Sequence, residues 1–305
     1  MTILQSILLG LLQGVAEFLP ISSSGHLKVA QCLFGLGEVP VLFDIFLHLA
    51  TLLAVIIFFR KKIWDLLCAF FRIIFRRPAP LSVKDMDGQT VTLNSELAKA
   101  KEKNLRNFII GVVLATVVTG AIGIVVKKVF NDFENVNVKL ICAGFVITAI
   151  VLIVSSIIGK RQAQIKAANG DDENSPVSAE EKAPSWYQSL LIGLAQGIGT
   201  LPGISRSGST IAGGLFCGVN RSMAGEFSFI ASIPAILGAF ILDVKDIGEV
   251  LGTVGVMPLV AGCVTSFVSG YLSLAFLMKL IKKGKLEWFA AYLIPAGILG
   301  MIFLH

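Results

Sequence analysis

The feature that most limits what this chain can become is the way its apolar residues gather into blocks. They fall at about 3–19, 27–36, 41–59, 105–126, 138–158, 187–201, 208–218, 225–242, 254–278 and 287–304. A helix rises about 1.5 Å per residue and the hydrocarbon layer of a bilayer is about 30 Å thick, so a crossing takes about 20 residues. Blocks 27–36 and 208–218 are far too short to cross. Each follows a polar-interrupted block of about 15 residues that ends in a Pro/Gly/Ser turn. Two re-entrant helical hairpins are therefore expected, with the remaining six blocks spanning. Composition agrees: only 15% of the 305 residues are charged and 55% are hydrophobic, where a soluble domain carries roughly 25% charged residues. Lipid is the main solvent.

The basic balance, net +6, does not point to nucleic acid. Its residues sit in short loops beside apolar blocks, as in Arg60-Lys61-Lys62, Arg76-Arg77 and Lys282-Lys283-Gly284-Lys285. That placement is a topology signal, since positive loops stay on the cytoplasmic side. The five cysteines, Cys32, Cys68, Cys142, Cys217 and Cys263, lie far apart in apolar segments with no CxxC pair. They read as small packing residues. The first block lacks the basic start and cleavage site of a signal peptide, so it is expected to remain in the mature protein.

The chain repeats itself. Gln13-Gly14-Val15-Ala16-Glu17-Phe18-Leu19-Pro20-Ile21-Ser22-Ser23-Ser24-Gly25 aligns with Gln196-Gly197-Ile198-Gly199-Thr200-Leu201-Pro202-Gly203-Ile204-Ser205-Arg206-Ser207-Gly208 at a constant offset. Gln-Gly, Ile-Ser, Ser and Gly recur at that offset, and the proline is displaced by one position. Residues 1–159 form a first repeat and 186–305 a second, joined by a polar linker at 160–185 whose composition suits a flexible surface segment. One hairpin plus three spans per half puts the second half in the opposite orientation, so the expected fold is an all-α integral membrane protein with inverted-topology repeats. Loops 60–104, 160–185 and 279–286 hold most of the Lys and Arg and fall on one side, while the acidic 243–253 loop falls on the other. Lys127-Lys128 runs against this trend. The N-terminus is then expected outside, with the hairpin tips meeting near the middle of the membrane. An amphipathic stretch is expected around 63–75 in the first basic loop.

Polar residues inside apolar blocks are costly and call for a partner or a function. They concentrate in the two hairpins. Gln13 and Glu17, four apart, share a helix face. Ser22-Ser23-Ser24-Gly25-His26 forms one turn and helix start, and Ser205-Arg206-Ser207-Gly208-Ser209-Thr210 forms the other. Such turns present backbone N–H groups and the positive end of a helix dipole, which suits an anion. Arg206 adds a guanidinium fork matched to phosphate. Glu17 does not bind an anion unaided, so it implies either a bridging divalent cation or acid/base work. His26 can exchange a proton near neutral pH, and serines beside these groups permit phosphoryl transfer. Several polar residues read more blandly. His48 lies mid-span without a motif and reads as a satisfied core histidine, and Gln196, the repeat partner of Gln13, as a packing amide. Asp44 and Glu226 head their spans; Glu226, nearer the Arg206 turn, is the better candidate for a supporting role at the site.

The stretch from Gln13 to His26 resembles the [E/Q]xxxE…PxSSxGH signature of the bacterial undecaprenyl-diphosphate phosphatase (bacitracin resistance) family. Pro202-Gly-Ile-Ser-Arg206-Ser-Gly208 resembles that family's PGxSRSG motif, and Gly225-Glu226-Phe227-Ser228-Phe229 its EFSF stretch. The resemblance implies removal of the terminal phosphate from a C55 isoprenoid diphosphate in the bacterial cytoplasmic (inner) membrane, giving the monophosphate carrier for peptidoglycan synthesis. It implies a divalent cation, Mg²⁺ or Ca²⁺, served by Glu17 and Gln13. It makes Ser23 the nucleophile and His26 the acid/base group. Arg206, Ser205, Ser207 and Thr210 would cradle the diphosphate, with Ser22, Ser24, Gly25 and Gly208 in the binding turns. The site is expected to open to the extracytoplasmic side; assembly is left open between a monomer and a homodimer. Gln13 departs from the glutamate of many members and cannot act as a base. A polyprenyl-phosphate transporter or flippase is the alternative, because inverted repeats with broken helices also build transporters. The other membrane lipid phosphatase family, with PSGH and SRx5Hx3D motifs, does not fit: Ser23 stands at its proline and Ala212 at its histidine.

Overall fold

The structure, a computed structural model, describes residues 1–36, 39, 41–77, 82–84, 90–92, 95–129, 137–168, 182–243 and 252–304. The first hairpin is α1 (Ile3–Phe18) and α2 (Ser23–Leu33); its equivalent in the second half is α7 (Trp186–Ile198) and α8 (Arg206–Phe216). Both hairpins start alike. Thr2 and Gln5 form a capping box on α1, and Ser185 and Gln188 form one on α7. Each box satisfies two helix-end N–H groups reciprocally.

The longer helices are α3 (Val41–Phe58), α5 (Ser95–Val129), α6 (Val138–Ala168), α9 (Arg221–Asp243), α10 (Val256–Lys282) and α11 (Glu287–Phe303). Among the described residues four helical stretches are long and apolar enough to cross a membrane: Ala98–Val126, Val138–Gln162, Arg221–Ile241 and Val256–Lys282. A fifth counts if α3 is joined to α4 (Arg60–Ile74), from which it is bent by 81°. The protein is thus a predominantly helical multi-pass membrane protein. The six expected full spans reduce to this set because α3 ends at the bend and α11 has only 17 residues.

The amphipathic stretch expected around 63–75 is α4, on which Trp64 and Phe71 are exposed apolar side chains, as is Phe75 just past its end. Among the described residues, the rest of the 60–104 segment is more structured than its polarity suggested. Ser82–Lys84 pairs antiparallel with Thr90–Thr92, and α5 begins at Ser95, ahead of its apolar block. Arg72 holds α4 to α5 by a two-pronged pair with Glu102, at 2.7 and 3.1 Å. Likewise α6 runs on to Ala168, nine residues into the segment read as a linker. Residues 169–181 of that segment and 244–251 of the acidic loop lie outside the described residues.

Packing follows the repeat. α1 lies along α10, and its equivalent α7 lies along α5; α3 packs on α10, and α9 on α5; α6 and α11 pack on each other. Glycines at matching positions allow the close approaches. A Cβ at Gly10 would stand 2.3 Å from the Gly262 carbonyl oxygen, and one at Gly193 only 2.7 Å from the Ala115 backbone. Lipid supplies no hydrophobic drive between helices, so small residues and interhelical hydrogen bonds carry the association. Two such bonds are Ser266 Oγ to the Leu47 carbonyl at 3.0 Å and Thr119 Oγ1 to the Gly193 carbonyl at 3.0 Å. The hairpin tips touch as expected, a Cβ on Gly208 falling 3.1 Å from Pro20.

Candidate active site

α1 carries Gln13 and Glu17 one turn apart near its end, and the Gln13 amide donates to Glu17 Oε2 at 3.0 Å. The chain then turns back through Ser22, whose φ of +72° is a left-handed conformation that side chains rarely adopt. This sharp reversal sets Ser23 at the first position of α2, where its hydroxyl donates to Glu17 Oε2 at 2.6 Å. In the second half the equivalent first position of α8 is Arg206, and its Nη2 pairs with Glu17 Oε1. A third arm comes from α3: His48 Nε2 stands 3.3 Å from Glu17 Oε2. Glu17 is only 7% exposed, and a carboxylate that far from water must be paired to stay charged. The Arg206 guanidinium, the His48 imidazole, a hydroxyl and an amide do this.

His26 sits on the same turn of α2 but faces elsewhere. Its Nδ1 lies 2.8 Å from the Ser22 carbonyl and its Nε2 2.8 Å from the Tyr292 hydroxyl of α11. Its ring stacks on Phe145 of α6 at 4.6 Å between centroids. The group facing the Ser23 hydroxyl is therefore Glu17. Gly25 makes room for Phe145, since a Cβ there would stand 2.5 Å from that ring.

The remaining expected residues divide into those that build the Arg206 turn and those that face away. Ser205 caps α8 by accepting from the Gly208 N–H at 3.1 Å, and its own N–H donates to Thr148 Oγ1 at 3.0 Å. Its hydroxyl lies 3.3 Å from that of Ser207, and Thr210 donates to the Arg206 carbonyl at 2.6 Å. These contacts orient the turn that presents Arg206. Ser207 and Thr210 also line a small cavity against the ion pair, with Thr51, Gln196, Ser228 and Ser232. Ser24 is exposed. Glu226 does not support the cluster: it pairs with Lys62 of α4 at 2.9 Å.

Two residues come into the picture through long-range packing. His48, read from the sequence as a core histidine, is satisfied by the Asp44 carbonyl at 2.7 Å, yet it also touches Glu17. Its polarity inside an apolar block was the one available signal. Tyr292 lies 266 positions from its partner His26, and nothing local marks it.

Some buried polar atoms are left over. Gln13 Oε1 and Ser22 Oγ are buried without a hydrogen-bond partner, a costly state that a ligand would relieve. The hydroxyl does not cap α2, so the first N–H groups of that helix have no side-chain acceptor. Both features suit an anionic headgroup at this N-terminus. Among the described residues no three His, Cys, Asp or Glu side chains converge as a metal centre. Hard divalent cations of the Mg²⁺ type, however, take one or two carboxylates and complete their shell with substrate phosphates and water. Glu17 and the unpartnered Gln13 oxygen fit that pattern.

Comparison with known proteins gives the same assignment. The family described as bacitracin resistance protein BacA matches residues 6–299. A Treponema denticola protein named undecaprenyl-diphosphatase is 43% identical, over 98% of this chain and 96% of its own. Proteins of that name from Methanosphaera stadtmanae (37%, over 98% and 97%) and Alkaliphilus metalliredigens (36%, over 99% of both chains) match equally fully. With hairpin motifs, helical architecture and near-complete coverage in agreement, the chain belongs to the bacitracin resistance protein BacA family.

Proposed function

We propose that this protein is an undecaprenyl-diphosphate phosphatase: it hydrolyses the C55 isoprenoid diphosphate to the monophosphate carrier and inorganic phosphate, the step that recycles the lipid carrier of peptidoglycan synthesis and confers bacitracin resistance. The observation that carries this reading is the convergence of Ser23 and Arg206, from the two hairpins, on the buried carboxylate of Glu17. A carrier needs only groups that bind, whereas this set includes a hydroxyl hydrogen-bonded to a carboxylate that can take its proton.

The chemistry follows from those contacts. The terminal phosphate of the substrate lies at the start of α2, where unbonded N–H groups and the Ser22 hydroxyl meet its oxygens. Arg206 spans from Glu17 towards the same phosphate and neutralises charge that builds on it. Ser23 loses its proton to Glu17 as its oxygen attacks phosphorus, and polyprenyl monophosphate leaves with the bridging oxygen. Water then cleaves the phosphoserine and releases phosphate, with Glu17 returning the proton to the Ser23 oxygen, while His26 holds the Ser22 carbonyl through Nδ1 and so steadies the turn that presents Ser23. Glu17 and Gln13 would hold a divalent cation, Mg²⁺ or Ca²⁺, which supplies charge neutralisation to the diphosphate when bound. His48 steadies the Glu17 carboxylate.

The two halves form an inverted repeat across the cytoplasmic membrane, with the N-terminus outside and the site opening outward. The repeat-matched packing of α1 on α10 and α7 on α5, and the matched capping boxes, support this arrangement.

The test is inorganic phosphate release by the purified protein given polyprenyl diphosphate, with and without EDTA. Metal-dependent release is expected, together with a labelled phosphoserine when the terminal phosphate carries the label. Absence of release with every divalent cation would refute the enzymatic reading.

A further inference from the structure

α3 is an apolar membrane helix, so α4, bent from it by 81°, runs nearly along the membrane surface. The sides of α4 differ. Leu66 and Ala69 are buried and join the core, with α5 as the neighbour. Trp64, Leu67, Phe71 and Ile74 are spaced three or four apart and so share one face. They are between 45% and 67% exposed, and Phe70 and Phe75 beside them are exposed too. The basic residues divide in the same way. Lys62 pairs with Glu226 of α9 at 2.9 Å, and Arg72 with Glu102 of α5 at 2.7 Å. Arg60 at the start of α4, and Arg76 and Arg77 just past its end, are exposed, and among the described residues none of the three meets an acid. The inward charges are thus neutralised by the protein and the charges at the two ends are not.

We propose that α4 is an interfacial lipid-binding helix that gathers anionic lipid headgroups at the inner face of the membrane. The exposed row would be costly against water, whereas acyl chains cover it without loss. Lipid is the occupant at hand: α3 ends with exposed Leu53, Ile56 and Ile57, so the apolar outer surface of that helix runs up to the bend. A helix with an aromatic-rich apolar face and basic flanks lies in the plane of the interface, and tryptophan sits at headgroup depth. The 15 residues of α4 span about 22 Å, so the arginines at its two ends reach separate headgroups. Each arginine near the surface favours an anionic headgroup over a neutral one by about fivefold. The pairs of Lys62 and Arg72 hold the helix on the protein, leaving its outer face and ends to the lipid.

The test uses the fluorescence of Trp64. The chain has three tryptophans, so the full-length Trp186→Phe/Trp288→Phe protein reports from α4 alone. It is reconstituted in phosphatidylcholine vesicles that contain the same share of either brominated phosphatidylglycerol or brominated phosphatidylcholine. Bromine quenches a neighbouring indole, so the quenching reads which lipid lies beside the helix. The brominated phosphatidylglycerol is expected to quench as though enriched about fivefold at Trp64. Bromine near the headgroup should quench more than bromine near the chain terminus. Adding Arg60→Gln, Arg76→Gln and Arg77→Gln together should bring the two lipids level, and these positions are exposed, so the fold is kept. Equal quenching by the two lipids before the arginines are changed, enrichment that survives their change, or quenching strongest at the chain terminus overturns the proposal. So does an absence of quenching by either lipid, which would put a protein partner or a second copy over this face. The readout needs no phosphate release and so stands apart from the phosphatase reading.

Discussion

At the scale of residues, the site is one acid with four partners. Glu17 is held by Arg206, His48, Ser23 and Gln13, so its neighbours should matter according to what they give the carboxylate. Glu17→Ala should lower phosphate release by about 10²-fold or more, because it removes both the proton acceptor for Ser23 and the partner of Arg206. His26→Ala should cost a similar factor, because its ring holds the Ser22 carbonyl next to Ser23 and a misplaced nucleophile is that expensive. His48→Ala should now cost about 10-fold, a moderate loss, since Arg206 remains to hold Glu17; the sequence alone suggested a near-silent position. Steady-state phosphate release measures all three. His26 turns its ring away from Ser23 towards Tyr292, but the meeting of Ser23, Glu17 and Arg206 was legible because costly polar groups gather in the two hairpins. The contact of His48 with Glu17 and that of Tyr292 with His26 were not, since each is made only when separate helices pack. Glu226 misled for the same reason: its nearness to Arg206 in sequence is overruled by the fold of α4, which brings Lys62 to it.

At the scale of elements, the hairpins were legible from length and turn composition, and their register from the repeat. Where α5 starts, where α6 ends and the Ser82–Lys84/Thr90–Thr92 strand pair were not, because helices that leave the membrane continue into polar sequence without a break in propensity. The hairpins work only if they are pressed against their supporting helices. At Gly14 of α1 a Cβ would meet Ser269 Oγ at 2.0 Å and the Ser266 carbonyl oxygen at 2.5 Å on α10. Gly14→Ala should therefore destabilise the protein by about 1–3 kcal/mol, as overpacked contacts do, and shift Glu17 three residues on. A thermal unfolding scan in detergent, alongside phosphate release, should show both losses. Gly120→Ala, at a position with open space around it, should show neither.

At the scale of the whole molecule, the account requires two halves of opposite orientation meeting at one site. The repeat and the distribution of basic loops carried that reading in the sequence, and the matched packing of α1 on α10 and α7 on α5 is what such an arrangement needs. Native cysteines offer a check. Cys32 is exposed near the end of α2, on the outer side in this topology, while Cys68 on α4 belongs to the inner side. A membrane-impermeant maleimide should label Cys32 in intact cells and Cys68 only after permeabilisation; the reverse order would mean the opposite topology.

The central claim is that a carboxylate from the first half and a guanidinium from the second act as one unit on one headgroup. A double-mutant cycle on phosphate release with Glu17→Ala, Arg206→Ala and the combined variant, each confirmed to be folded and inserted, tests it most directly. Each single change should cost about 10²-fold or more, and the pair little beyond the larger single loss, because residues that work as a unit are strongly non-additive. Normal turnover in Arg206→Ala, or losses that multiply fully in the double variant, would contradict it.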